Sequence, residues 1–376
     1  MLAIIVDHVP WAPSLFFLVS GGGAVFASPA EGFFVISGIL VGYLYGPKIL
    51  THTKATVKKL WKRAGLLYLL SIIFTLLYTA WALLLPDAKI PLPMWNKSIE
   101  SFFFNLFTAR YSYGWTDFLP RYAVFMLMAP LVLWIIAKGK WWLVGAGSIL
   151  LWALLGRVEI LMPFAAWQLL FVAGMIIGHY LPALSQAWNT QISKIHRGDI
   201  TSALNVTTAY TFSVLIFSLI VIPYINARFG LTIAAELTTT MQQWATYFDK
   251  QTLGIGRIVL GVIWFSSLYL FIRSRETRVN KVTLGILDTY GRNSLYVYGL
   301  HAFVLFGIAT LFAPVRQEGL ILNTVLTANV LALIYLLTKY RSSITHFIGL
   351  TELKYRYEAF RIRSQERAGR VSDTDS

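Results

Sequence analysis

Asp7 and His8 are neighbours inside the first long apolar stretch of the chain. Ionisable side chains at membrane depth are costly, and those that persist there usually serve a proton, an ion or a substrate. An imidazole with a reference pKa of about 6.5 is suited to taking a proton from a hydroxyl near neutral pH, which makes His8 a candidate general base. A buried histidine that merely satisfies a helix carbonyl has the same sequence signature. On a helix Asp7 points roughly 100° away from His8 and is poorly placed to orient it; it is available to a neighbouring helix or to a substrate. Glu31, opening the second apolar segment, is the carboxylate expected to face the same cavity as His8. For both acids, structural pairing reads as well as chemistry.

These residues need a scaffold, and composition defines its class. Hydrophobic residues make up 57% of the 376 and charged residues 13%, with a mean hydropathy of +0.63, whereas a soluble domain carries roughly 25% charge. The chain is expected to be an all-α, polytopic integral membrane bundle. Windows of about 19 residues mark ten candidate transmembrane helices: 1–19, 31–45, 64–85, 120–137, 141–155, 162–181, 205–225, 253–272, 294–312 and 320–337. Residues 1–340 read as one transmembrane domain. Residues 341–376 read as a basic cytoplasmic tail, amphipathic and then disordered. Between the third and fourth spans, Pro86 to Leu119, with Pro91, Pro93 and the run Phe102, Phe103, Phe104, is expected to lie along the interface.

The basic residues orient the bundle. With the amino terminus in the cytoplasm, 23 of the 32 Lys and Arg fall on the cytoplasmic side, as the positive-inside rule requires. Both termini are therefore expected to be cytoplasmic. The net charge of +15 is then a topology signal and a surface for anionic lipid heads, and nucleic acid is not an expected partner.

Several chemistries are excluded. No cysteine is present, so thiolate metal sites, disulfides and cysteine nucleophiles are ruled out. Gly21, Gly22 and Gly23 lack a following Lys-Ser/Thr and read as a flexible turn, not a phosphate loop. There is no HExxH or GxSxG, and no bound metal or cofactor is expected. The start lacks the basic region of a signal peptide.

A series of local sequences carries a family resemblance: Asp7-His8-Val9-Pro10, Ala30-Glu31-Gly32 through Gly38, and Lys62-Arg63-Ala64 through Tyr68. Further along come Thr116-Asp117 through Tyr122, Met128-Ala129-Pro130 through Trp134, Ala166-Trp167-Gln168 through Phe171, and Gly291-Arg292-Asn293-Ser294 through Tyr298. In this order, from Met1 to about Leu337, they resemble the OpgC-type branch of the broad acyltransferase-3 group, typified by enzymes that succinylate periplasmic glucans. In that family the first span begins earlier, with an arginine.

The resemblance implies a membrane O-acyltransferase of the inner (plasma) membrane. It would move a succinyl or acetyl group from cytosolic acyl-CoA, a co-substrate, to a hydroxyl of an extracytoplasmic glycan. His8 becomes the expected catalytic base, with Asp7 and Glu31 as accompanying acids. Acyl-CoA is strongly anionic, so its site is expected to be cationic and on the inner face. Lys62 and Arg63 match the family's basic pair, and Arg292 is a second phosphate contact; Lys58 and Lys59 are equally well read as membrane anchors. Tyr111, Tyr113, Trp115 and Asp117 form an expected sugar platform, although an interfacial aromatic belt has the same composition. Trp167, Gln168, Asn293 and Ser294 are expected to line a tunnel or donate to an oxyanion, or else to tie helices together. His301 reads as a packed polar residue and a minor candidate. A transporter or exporter of an anionic or glycan-linked solute shares this hydropathy, but the two matching halves of many transporters are not evident; a catalytically dead scaffold is the third reading.

Overall fold

The computed structural model describes residues 1–84, 98–112, 116–233, 235–311 and 319–343, and among them every regular element is helical. Helix α1 (Leu2–His8) ends after seven residues, with Val9 in an extended conformation. Pro10 follows at once and Pro13 shortly after; a residue before proline is driven out of the helical region, and a proline amide cannot continue the ladder. The first expected span, 1–19, is thus corrected: it is a short helix, an irregular turn and a single helical turn, α2 (Phe17–Ser20). Gly21, Gly22 and Gly23 all have positive φ, at 86°, 55° and 73°, which only glycine adopts at little cost. They reverse the chain into α3.

Helix α3 (Pro29–Tyr45) starts with a capping box, in which Ser28 and Glu31 satisfy each other's backbone donors, and with proline in its first turn. A 3-10 turn (Gly46–Lys48) leads to α4 (Thr53–Leu84). At 32 residues α4 is about 48 Å long, well beyond a bilayer core of about 30 Å, so it tilts or extends beyond the lipid. Then follow α5 (Ile99–Phe107), α6 (Phe118–Ala137), α7 (Trp141–Leu155), α8 (Met162–Ala165) and α9 (Gln168–Thr190). Helix α10 (Lys194–Ile216) runs through a π-type turn (Phe217–Val221) into α11 (Ile222–Phe229), with Pro223 just beyond the bulge. The remainder is α12 (Ala235–Trp244), α13 (Ile255–Ser274), α14 (Glu276–Val282), α15 (Ile286–Arg292), α16 (Ser294–Leu311) and α17 (Leu320–Lys339).

Among the described residues, seven helical stretches are long and apolar enough to cross a membrane, and α7 and α16 supply two shorter apolar ones. Ten spans are expected from sequence, and these seven with the two shorter helices are what the described residues supply. The long stretches are 29–48, 53–84, 118–137, 162–190, 194–229, 255–274 and 320–339. Residues 86–97 and 113–115 of the segment placed at the interface, and the tail beyond residue 343, lie outside the described residues.

Helix α7 shows why this bundle suits lipid. Its buried residue is Ser148, while Trp142, Ile149, Leu150 and Leu154 face outward, each more than half exposed. The polar residue turned inward is satisfied, since the Ser148 hydroxyl donates to the Gln168 side-chain oxygen at 2.7 Å. A soluble helix would present the opposite faces.

The closest helix pair is α3 with α9. Gly38 and Gly42 face Gly174 and Gly178, and a Cβ on Gly178 would lie 2.1 Å from the Ile39 carbonyl oxygen, one on Gly38 2.2 Å from that of Phe171. This is small-xxx-small packing on both partners, by which backbones reach contact without a hydrophobic driving force. Phe34, Met126, Leu133, Trp167 and Phe171 build the main core around it. Ile5 and Val6 of α1 pack with Tyr290, Val297, Leu305 and Ile334 in a second core, which anchors the short first helix and fixes where His8 emerges.

Candidate active site

His8 is the last residue of α1. Its Nδ1 lies 3.2 Å from Nε2 of His301, and the two rings are nearly parallel, 13° apart. His301 lies two turns into α16 and is fully buried; its Nδ1 donates to the Tyr298 carbonyl. The residue read from sequence as a packed polar group is therefore packed against the candidate base itself.

His8 and Asp7 both line a small cavity of about 130 Å³ with Asp117, Arg121, Trp167, Lys250 and Tyr298. The cavity draws on the first residues of α3 and α6, the residue that caps α9 and the segment before α13, so it sits at the end of the bundle where those helices begin. Arg121 is held by Asp117 at 3.0 Å, one turn earlier, and its guanidinium stands 6.0 Å from the Trp167 ring centroid. Asp7 interacts with the Ser20 hydroxyl and the Gly23 amide, whereas its Oδ1 is buried with no hydrogen-bond partner.

Glu31 departs from expectation. It is nearly fully buried, but its carboxylate does not line the cavity. One oxygen accepts from the Ser28 amide and hydroxyl, and the other pairs with Arg257 Nε at 2.5 Å. The correction has a physical cause. Both charges are removed from solvent, so each is stable only against the other, and Glu31 joins α3 to α13 instead of facing His8. For Gln168 the second of the two expected readings holds: its amide nitrogen donates to the Ser148 carbonyl of α7 and the Ala165 carbonyl of α8, tying α9 to both. Tyr111 packs beside Phe102 and lines neither of the two cavities described here, while Tyr113 and Trp115 lie outside the described residues. Of the expected sugar platform, Asp117 alone is placed in the cavity.

A larger cavity of about 940 Å³ gathers Lys59, Lys62, Arg63, Arg292 and Arg341. It follows α4 from Lys59 to Phe74, about 22 Å along the helix, and α16 from Ser294 to Phe303. Its cationic end gives way to Leu66, Leu70, Phe74 and Leu119. Asn293 and Ser294 belong here, and not beside His8. Arg63 stands over the Tyr122 ring at 5.9 Å, Arg341 over Tyr296 at 5.6 Å, and exposed Arg292 is paired with Asp288. Lys58 does not line this cavity but a neighbouring groove, with Lys54, Trp61 and Lys62. Tyr298 lines both cavities, and Leu119 of the larger cavity follows directly on Phe118 of the smaller, so the two meet across these side chains.

Sequence reasoning missed Arg257, Lys250 and Arg341. A signal existed for Arg257, a cation inside an apolar span, which demands a buried partner. None existed for the other two, whose relevance depends on which distant elements they approach.

A bundle of apolar helices, with a cationic groove meeting a polar cavity that holds a histidine pair, defines a polytopic membrane protein. The family model described as OpgC protein matches residues 1–345. The chain belongs to the OpgC family, and so to glucan-modifying membrane proteins. No curated protein and no solved structure matches it.

Proposed function

We propose that the protein is an acyl-CoA-dependent O-acyltransferase of the inner membrane, passing a succinyl or acetyl group to a hydroxyl of an extracytoplasmic glycan. The observation that carries this reading is that one residue, Tyr298, lines both the cationic groove and the His8 cavity. Phosphates of the donor bind Lys62, Arg63 and Arg292, with Lys59 and Arg341 adding to the field. The thioester arm follows the apolar stretch along α4 toward Tyr298. The glycan hydroxyl enters the His8 cavity.

His8 takes the hydroxyl proton as the oxygen attacks the thioester carbonyl. The tetrahedral intermediate collapses, the carbon–sulfur bond breaks, and the proton passes from His8 to the departing thiolate, leaving ester and free thiol. Arg121 and Lys250 are the cations of the cavity and offset the negative charge that develops on the carbonyl oxygen. Trp167 supplies an apolar face for the sugar, and Asp117 holds Arg121 in place. One transmembrane unit, residues 1–340, carries the site apart from Arg341, with the cationic groove on the cytoplasmic side.

The test uses membranes containing the protein, incubated with radiolabelled succinyl-CoA or acetyl-CoA. Label is expected in the glycan fraction, and His8→Ala is expected to abolish it while leaving CoA binding nearly intact. Normal turnover by His8→Ala overturns the reading. Label that crosses the membrane unchanged identifies a transporter, and neither transfer nor movement a scaffold.

A further inference from the structure

We infer that His301 is a positioning residue that dictates which nitrogen of His8 acts as the base, an inference that rests on the reading of His8 just given. A carbonyl only accepts hydrogen bonds. Because the His301 Nδ1 faces the Tyr298 carbonyl, that nitrogen carries the proton. In a neutral imidazole the other nitrogen then holds a lone pair, so His301 Nε2 is an acceptor. It faces Nδ1 of His8 at 3.2 Å, and His8 Nδ1 must therefore donate. The unprotonated nitrogen of His8 is consequently Nε2. One main-chain carbonyl, acting through two rings, specifies the tautomer of the reacting imidazole.

A carboxylate is the more usual partner for orienting a catalytic histidine. Here it would place a net charge in a fully buried position on an apolar helix, at a cost that only another buried cation could offset. A second imidazole performs the same orientation while neutral. The near-parallel rings and the packing of His301 against the Tyr298 ring, 5.0 Å between centroids, leave little freedom to either. Glu31, the carboxylate expected from sequence to serve here, is engaged with Arg257, and Asp7 turns to Ser20 and Gly23.

The experiment compares His301→Leu and His301→Gln in the full-length protein, assayed for transfer from acyl-CoA to glycan. Leucine removes the acceptor, whereas a glutamine side-chain oxygen can accept from His8 Nδ1. His301→Leu is expected to lower kcat by roughly 100-fold with little change in KM for acyl-CoA, and His301→Gln to recover at least a tenth of the lost rate. A second measurement is independent of turnover: nitrogen NMR of the wild-type protein labelled at histidine, with His8→Gln to assign the signal. It is expected to find His8 protonated at Nδ1. Equal kcat in the leucine variant and the wild type overturns the inference, as does a His8 proton on Nε2. Either result leaves the role of His8 itself standing, since only His8→Ala tests that; should His301→Leu fail to fold, the glutamine variant and the NMR measurement decide.

Discussion

Glu31 on α3 and Arg257 on α13 form an ion pair at 2.5 Å, with side chains 6% and 4% exposed. The guanidinium also donates to the Phe26 and Phe248 carbonyls, so this one residue ties the entry of α13 to the turn that precedes α3. Removing one member of a buried pair leaves a charge without compensation, at a cost of about 3–5 kcal/mol. Arg257→Met is expected to lower the thermal stability of the detergent-solubilised protein by that order. Adding Glu31→Gln is expected to recover part of the loss. An unchanged melting temperature in the single variant contradicts the pairing.

The glycine contact between α3 and α9 gives a steric prediction. A side chain at Gly178 meets the Ile39 carbonyl at 2.1 Å, whereas a methyl at Gly65 meets nothing within 4 Å. Gly178→Val is expected to abolish the monodisperse peak in size-exclusion chromatography, because backbone cannot yield as a flexible side chain does. Gly65→Ala is expected to leave the profile unchanged.

Phosphate recognition at the cationic groove predicts a split in kinetic constants. Lys62→Ala and Arg63→Ala are expected to raise KM for acyl-CoA about tenfold each, about 1.4 kcal/mol per lost charged contact, with kcat much less affected. The effect should shrink as salt rises. A fall in kcat alone would place the donor elsewhere.

Asp249, outside the spans, ties pH to local stability. Burial pushes its pKa up, but hydrogen bonds from the Thr252 hydroxyl and amide and the Gln251 amide, together with the charge of Arg257, outweigh it and hold the group below its ordinary range. A carboxylate with a depressed folded pKa contributes stability above its unfolded value and loses it as pH falls through the folded one. Amide exchange at the start of α13 is therefore expected to accelerate below about pH 4, and Thr252→Val to reduce the size of that acceleration. An equal pH response in the variant contradicts the assignment.

The absence of cysteine makes the orientation directly measurable. Lys138→Cys, in the short turn between α6 and α7, is expected to react with a membrane-impermeant maleimide only from the cytoplasmic face. Lys250→Cys, at the mouth of the His8 cavity, is expected to react only from the opposite face. Both reacting from one side would overturn the charge-based topology.

Amino-acid order alone determined the class, the family and most of the helices, for a local reason. In lipid each backbone amide must be paired within its own segment, so long apolar runs become helices whatever surrounds them; apart from a few terminal residues and the break at Ala166 and Trp167, the expected spans after the first lie within helices where described. The first failed because an average over 19 residues conceals Pro10 and Pro13, although both were in view. The glycines of α3 and α9 were equally visible, but spacing does not reveal which partner they approach. Everything about the site that depends on distance in sequence was decided by tertiary structure. Lys62 and Arg63 meet Arg292 only because α4 packs near the start of α16; His8 meets His301, 293 residues away, only because α1 is seated by Ile5 and Val6. Glu31 is drawn from the cavity by a cation 226 positions distant. Periodicity tells which face of a helix is apolar, whereas the partner of a buried polar group follows from how those faces assemble, and in this protein that partnership separates a structural carboxylate from a reactive imidazole.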